Sequence, residues 1–286
     1  MATTLDPAEI EKFSKLAAEW WNPKGPFGAL HRLNPVRLQY IRDVVTRHFT
    51  SPACGGGIAG NARDGGGATA QASDASARTA PSVSFADSSP ASGGAKSKRA
   101  LEGIRTLDLG CGGGLVSAPL ARMGAKLTAI DASAEAIGAA SAYAEQAGLD
   151  IDFQNTTAEA LVERGAQFEL VTALEIIEHV SDVNAFLSAA SALVAPGGLL
   201  ILSTINRTTK ARALAITGAE RILKWAPEGA HDYDKLVTPE EIRTGAPALQ
   251  WEEPVGITYQ PLGNGWAISR DIDVNYMMAG RRPAQR

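Results

Sequence analysis

The stretch Leu107-Asp108-Leu109-Gly110-Cys111-Gly112-Gly113-Gly114 constrains this chain more than any other. A strand expected over residues 105–109 ends in a glycine cluster, and a helical pattern follows over 114–123. Glycine lets the backbone turn sharply at a strand end and approach a bound molecule with no Cβ in the way. A strand that feeds such a turn and then a helix opens a βαβ unit. The pattern repeats downstream. Strands are expected over 126–130, 151–155, 168–174 and 199–205. Between them, Ser133 can cap a helix that stops near Gly148, and a second helix spans 183–194 before the turn Pro196-Gly197-Gly198. The alternation predicts an α/β fold: a mostly parallel sheet of seven strands with helices on both faces. Residues 256–260 and 273–278 are candidates for an antiparallel closing pair.

Upstream of this core the chain divides in two. Residues 50–100 are Gly, Ala, Ser, Thr and Asp with few large apolar side chains. Such a composition buries too little surface to offset its conformational entropy, so an unstructured insert is expected. Residues 1–49 are expected to form a helical cap and 101–286 the core. In the cap, Asp6 and Pro7 begin a helix over 6–21, with Ile10, Phe13, Leu16, Ala17 and Trp20 at helical spacing. A second helix follows Asn34-Pro35, and residues 21–33 read as loop. Trp20, Trp21 and Phe27 beside His31, Arg32 and Arg37 suit a lid or ordinary helix packing.

Composition excludes some functions. A net charge of −4 argues against a general nucleic-acid binder. Two cysteines, Cys54 and Cys111, cannot build a disulfide framework, which suits a reducing compartment. No secretory signal and no apolar stretch of about 20 residues is visible, so a cytoplasmic protein is the expectation.

The glycine loop alone fits several nucleotide-binding families. A dinucleotide fingerprint starting at Gly110 needs glycine where Leu115 stands, and one starting at Gly112 meets Ser117. That weakens the rival reading, an NAD(P)-dependent oxidoreductase. A phosphate-binding Gly-Lys-Ser/Thr is absent. Asp108 at the strand tip would repel a pyrophosphate, but it suits the cationic end of S-adenosylmethionine. Asp131, at the tip of the second strand about 20 residues on, can accept from both ribose hydroxyls. Together Asp108, Gly110, Gly112, Gly114 and Asp131 resemble the cofactor site of the Rossmann-like class I methyltransferases.

The fourth strand ends in Leu174-Glu175-Ile176-Ile177-Glu178-His179-Val180. This strand end should lie at the ligand crevice of a doubly wound sheet. If the chain turns helically here, Glu175, Glu178 and His179 fall at i, i+3 and i+4 on one face. Such a set can hold Mg²⁺ or another hard cation. Without a metal, His179 can serve as general base. A solvated helix start is the third reading.

Several stretches are restrictive: Trp20-Trp21, His31-Arg32-Leu33-Asn34-Pro35-Val36-Arg37, Ser203-Thr204-Ile205-Asn206-Arg207, Gly229-Ala230-His231-Asp232 and Asp273-Val274-Asn275-Tyr276-Met277. With the glycine loop and the acidic cluster, they resemble the 3-demethylubiquinol 3-O-methyltransferase family of ubiquinone biosynthesis. The resemblance spans about residues 13–279, apart from the insert. It implies transfer of a methyl group from S-adenosylmethionine to catechol-type hydroxyls of polyprenylated ubiquinone precursors. It implies cofactor contacts at Arg37, Gly110, Asp131 and Leu174, and Mg²⁺ ligands at Glu175, Glu178 and His179. His231 is a second candidate base. Two rivals are methylation of another small phenol and a non-catalytic subunit of a quinone-synthesis complex. Partners expected from the resemblance are the polyprenyl catechol and other enzymes of the same synthesis. The basic, apolar segment 208–226 suits peripheral contact with an anionic inner membrane, or a helix covering the site.

Overall fold

In the computed structural model, which describes residues 4–50, 99–214, 232–260 and 265–284, a single sheet divides the large aliphatic side chains between two cores. Successive residues of a strand face opposite ways. In β4 (Phe168–Leu174), Leu170 and Leu174 enter one core while Val171 and Ala173 enter the other. In β5 (Val194–Ile205), Leu199 and Ile201 oppose Leu200 and Leu202 in the same way. Both faces of these central strands are therefore apolar, as expected where helices cover both sides.

The strand order is β3-β2-β1-β4-β5-β9-β7-β8. β1 (Arg105–Leu109), β2 (Lys126–Asp131), β3 (Asp152–Asn155), β4 and β5 are parallel. β6 (Gln250–Trp251), β7 (Val255–Gln260), β8 (Gly265–Ser269) and β9 (Asn275–Arg281) close the sheet antiparallel. The order reverses between β1 and β4, so their carboxyl ends frame a crevice. Among the described residues the sheet has nine strands rather than the expected seven. The additions are two-residue β6, too short to show a period, and five-residue β8, Gly265–Ser269.

The helices are α1 (Pro7–Lys15), α2 (Gly28–Thr50), α3 (Ser117–Arg122), α4 (Ala134–Gln146), α5 (Ala158–Glu163), α6 (Val183–Leu193), α7 (Thr209–Ala211) and α8 (Pro239–Gly245). α2 and α3 share one core, and α5, α6 and α8 share the other. Asp6 caps α1 by accepting from Ala8 N and Glu9 N, and Ser133 caps α4 by accepting from Ala136 N. The expected first helix ends earlier, at Lys15, and continues as a 3-10 turn, Ala17–Glu19. α2 begins at Gly28 and runs through Pro35, where a loop was expected up to residue 33. A mid-helix proline costs about 3 kcal/mol. Burial of Leu33, Val36, Tyr40, Ile41 and Val44 against the sheet offsets that cost. Among the described residues no helix is long and apolar enough to cross a membrane. The segment 50–100 lies almost wholly outside the described residues.

Candidate active site

After β1 the backbone turns through Gly110, Gly112 and Gly114, at φ of 66°, 51° and 83°. Residues with a Cβ rarely adopt this conformation. Space is a second constraint. A Cβ at Gly110 would overlap Ile176, and one at Gly112 or Gly113 would overlap the indole of Trp20. The loop is thus a floor on which an aromatic ring lies flush.

Asp108, at the end of β1, is buried and accepts from Ser117 Oγ at 2.6 Å and Thr172 Oγ1 at 2.8 Å. Burial pushes its carboxyl up to about 6, against the opposing pull of those two hydroxyls. Asp131, at the end of β2, accepts from Gly112 N at 2.9 Å and from Ser133 N at 2.8 Å. Burial raises its pKa as well. The first of these bonds ties the glycine loop to the tip of β2.

β4 ends in an abrupt turn. Glu175 sits at φ 52°, the single non-glycine residue at positive φ among those described. Such a conformation costs about 1–3 kcal/mol and persists where neighbours enforce it. Here Glu175 N donates to Ser203 O at 2.9 Å, and Ser203 Oγ donates to Glu175 Oε1 at 2.7 Å. Arg37 Nη2 lies 3.0 Å from the same oxygen. Arg37 is only 2% exposed. Its Nε and Nη2 have no aligned hydrogen-bond acceptor, so the contact with Glu175 is an ion pair without hydrogen-bond geometry. Ile176, at φ −123° and ψ −33°, is also not helical.

The expected helical face therefore does not form at Glu175. Only Ile177–His179 makes a 3-10 turn. Glu178 is buried against β5 and accepts from Thr204 Oγ1 at 2.9 Å. His179 Nδ1 lies 2.9 Å from Glu9 Oε2 of α1. Glu175, Glu178 and His179 thus face three different partners. Among the described residues no three His, Cys, Asp or Glu side chains converge as a metal site.

α1 and the following turn lie across the crevice as a strap. Thr4 donates from N and Oγ1 to Glu159 Oε1 at 3.0 and 2.6 Å, Ser14 and Ser133 share a hydroxyl bond of 2.7 Å, and Lys235 Nζ meets Asp6 Oδ2 at 2.9 Å. Glu9 is held at about 2, chiefly by its hydrogen bond with His179. Trp20 stacks on Phe27 with ring centroids 3.7 Å apart. Trp21 stacks on Tyr143 at 3.3 Å and donates Nε1–H to Gly113 O at 2.9 Å. The aromatic residues singled out from sequence pack on the glycine loop and α4, and His31 bonds the Trp20 carbonyl at 2.9 Å.

Two cavities meet under this strap. The smaller, about 120 Å³, runs past Asp131, Ala132, Ser133, Thr156 and Thr157. The larger, about 760 Å³, is bounded by Arg37, Asp108, Leu174 and a long apolar wall. Phe13, Trp20, Gly110, Glu175 and His179 line both. Of the residues singled out from sequence, Arg37, Asp108, Gly110, Gly112, Asp131, Leu174, Glu175 and His179 border one cavity or both. Glu178 borders neither, being turned to Thr204. His231 lies outside the described residues. Glu9 was not foreseen. Its signal was its place four residues before Phe13, so that both reach His179 from one face of α1; the Phe13 ring meets the imidazole edge-on at 4.9 Å.

Comparison with known proteins adds lineage to this geometry. A family described as a methyltransferase domain matches residues 84–243. The ubiquinone biosynthesis O-methyltransferase of Brucella anthropi is 44% identical over 284 residues, covering 99% of this chain and 98% of that protein. The protein of the same name from Rhizobium etli is 43% identical over the same shares. Among solved structures, the magnesium protoporphyrin IX methyltransferase of Synechocystis PCC 6803 with bound SAH aligns with a TM-score of 0.46 and 23% identity. That alignment covers 64% of this chain and 75% of the other.

Proposed function

The chain belongs to the ubiquinone biosynthesis O-methyltransferases, and on that premise we propose that it methylates a catechol-type hydroxyl of polyprenylated precursors where its two cavities meet. It is an S-adenosylmethionine-dependent enzyme of the class I fold. The observation that carries the reading is that Gly110, Glu175 and His179 line both cavities, so a donor in one and an acceptor in the other come together beside them.

Bound over the glycine loop, S-adenosylmethionine supplies the electrophilic methyl of a sulfonium. Each oxygen of Asp131 accepts one backbone N–H and keeps lone-pair capacity for a ribose hydroxyl. Arg37 offers buried donors without aligned acceptors, which suit the carboxylate of the amino-acid end. Asp108 suits its ammonium. Gly110 and Gly112 bring the backbone close, and Leu174 adds apolar contact.

The acceptor must lose a proton, because a phenol has a pKa of about 10. Glu9 is a carboxylate and can only accept, so in the neutral imidazole the His179 nitrogen facing it, Nδ1, carries the hydrogen and Nε2 keeps the lone pair. We assign proton removal to His179 Nε2 on that ground. Glu175 holds Arg37 and the β4 turn. Mg²⁺ at Glu175, Glu178 and His179 is the other reading. It requires all three side chains to leave Ser203, Thr204 and Glu9, and the arrangement does not fit it as it stands.

One assay separates these readings. With a prenylated catechol and saturating S-adenosylmethionine, His179→Gln should lower kcat about 10²–10⁴-fold, the usual worth of a general base. Cofactor affinity should hold. Rates should be equal with and without EDTA; loss in EDTA with recovery on adding Mg²⁺ would return the role to the metal. Both catechol intermediates of the synthesis should be substrates. For the membrane, Lys210 is engaged by Asp271 and Asp273, so attraction to anionic lipid rests on other residues of 208–226. Co-sedimentation with anionic but not neutral vesicles is the expected result.

A further inference from the structure

The larger cavity changes character along its length. Its inner end carries Arg37, Asp108, Glu175 and His179. Much of the remaining lining, in which Lys12, Thr258, Lys210 and Asp271 are interspersed, is apolar: Leu30 and Leu33 from α2, and Ile257, Tyr259 and Trp266 from the β7–β8 hairpin. The hairpin is built for this. Ile257 and Tyr259 are two apart on β7 and share a face. Opposite them on β8 stand Ile268 and Trp266, in register. Four large apolar side chains therefore form one face of a two-stranded ribbon at the end of the sheet.

Exposure rises along β7 and outward to the edge strand β8, where Ile268 is 38% exposed. Ile257 is 1% exposed and packs with Leu33, Trp266 is half-buried, and Tyr259 reaches 44% with its ring 5.6 Å from the Trp266 ring. Among the described residues the exposed large hydrophobics are Leu214, Tyr259 and Ile268. Two of these, Leu214 and Tyr259, line the larger cavity. Scattered exposed side chains need no explanation, but Leu214 and Tyr259 bordering one apolar cavity mark a place where apolar surface meets a partner. The partner must enter the pocket and also extend beyond it.

We infer that the slot between α2 and the β7–β8 hairpin holds the first isoprene units of the substrate's tail, with Trp266 as its principal wall and Tyr259 and Leu214 at its exit. This rests on the assignment of a polyprenylated catechol as substrate. The tail enters from the apolar mouth, so the catechol head is delivered to the end where Glu175 and His179 stand. Apolar contact with the tail, not recognition of the ring, then sets the preference for prenylated over bare catechols.

The test uses the full chain with S-adenosylmethionine and two acceptors, a catechol without a tail and its farnesylated analogue kept below its micelle concentration. Wild type should prefer the farnesylated acceptor. Trp266→Ala should lower kcat/KM for it about tenfold or more, the scale of lost apolar contact in a pocket. The value for the tail-free catechol should not change. Tyr259→Ser, at a position 44% exposed, should move the same ratio in the same direction. Equal loss on both acceptors, no loss on either, or a loss that appears only when vesicles are added would each overturn the slot. A wild type that methylates both acceptors equally would overturn it too, while leaving the catechol reading intact. A wild type inactive on every catechol would overturn the substrate assignment itself.

Discussion

Asp108 keeps its proton up to about pH 6, well above the ordinary carboxylate value, because it is buried. Its folded pKa is raised, so the native state binds that proton more tightly than the unfolded chain does. The resulting contribution to stability falls as pH rises from about 4 to about 6. A bound cation reverses the preference and favours the carboxylate. S-adenosylmethionine affinity should therefore climb between about pH 5 and 7, with proton release on binding. Calorimetry in buffers of different ionisation enthalpy checks this, and Asp108→Asn should flatten the dependence. Asp131 is expected to matter for affinity rather than turnover. Asp131→Ala removes charge-assisted bonds worth about 1.5–3 kcal/mol, so binding should weaken about ten- to a hundredfold. Unchanged affinity would place the ribose elsewhere. Both aspartates were legible in the sequence, since a strand tip fixes where a side chain stands. The partners of Glu175, Glu178 and His179 were not. They depend on Ser203, Thr204, Arg37 and Glu9, distant residues whose approach no local spacing encodes.

At the scale of elements, α1 joins the two halves of the site. It carries Glu9 to His179, Phe13 to both cavities, and Asp6 to Lys235. Glu9→Gln should lower kcat about tenfold or more, within the range ascribed to proton transfer, and leave cofactor affinity near wild type. Trp21→Ala should do the opposite. It removes the bond to Gly113 O and the stack on Tyr143, loosening the strap over the loop. Faster dissociation of S-adenosylmethionine by stopped flow, with kcat little changed, is the expected pattern; equal off-rates would show that the strap does not hold the cofactor. β1 and β4 emerged with their expected bounds, β1 because the glycine cluster ends it and β4 because its mostly apolar run stops at the acidic cluster. The start of α2 did not emerge, because Gly28 and Pro35 speak locally for a break. Packing of its buried side against β8 and the sheet overrode that preference.

At the scale of the molecule, residues 1–49 and 101–286 share their cores, since α2 packs with α3 and the sheet. We propose that residues 50–100 are an addition the chemistry does not need. Replacing residues 51–98 with a Gly/Ser linker should retain turnover. It should move Tm by no more than about 2–4 °C, the scale of 1 kcal/mol for a domain of this size. A collapse of activity would make that segment part of the enzyme. The sequence by itself determined the parallel sheet, the glycine turn and the two aspartates, because these follow from local periodicity and backbone sterics. Only the tertiary structure decided the rest: that Glu9 meets His179, that the acidic cluster scatters instead of converging, and that the β7–β8 hairpin lines the larger cavity. Those outcomes depend on which distant side chains meet across the sheet ends, and contact at long separation leaves no period in the chain.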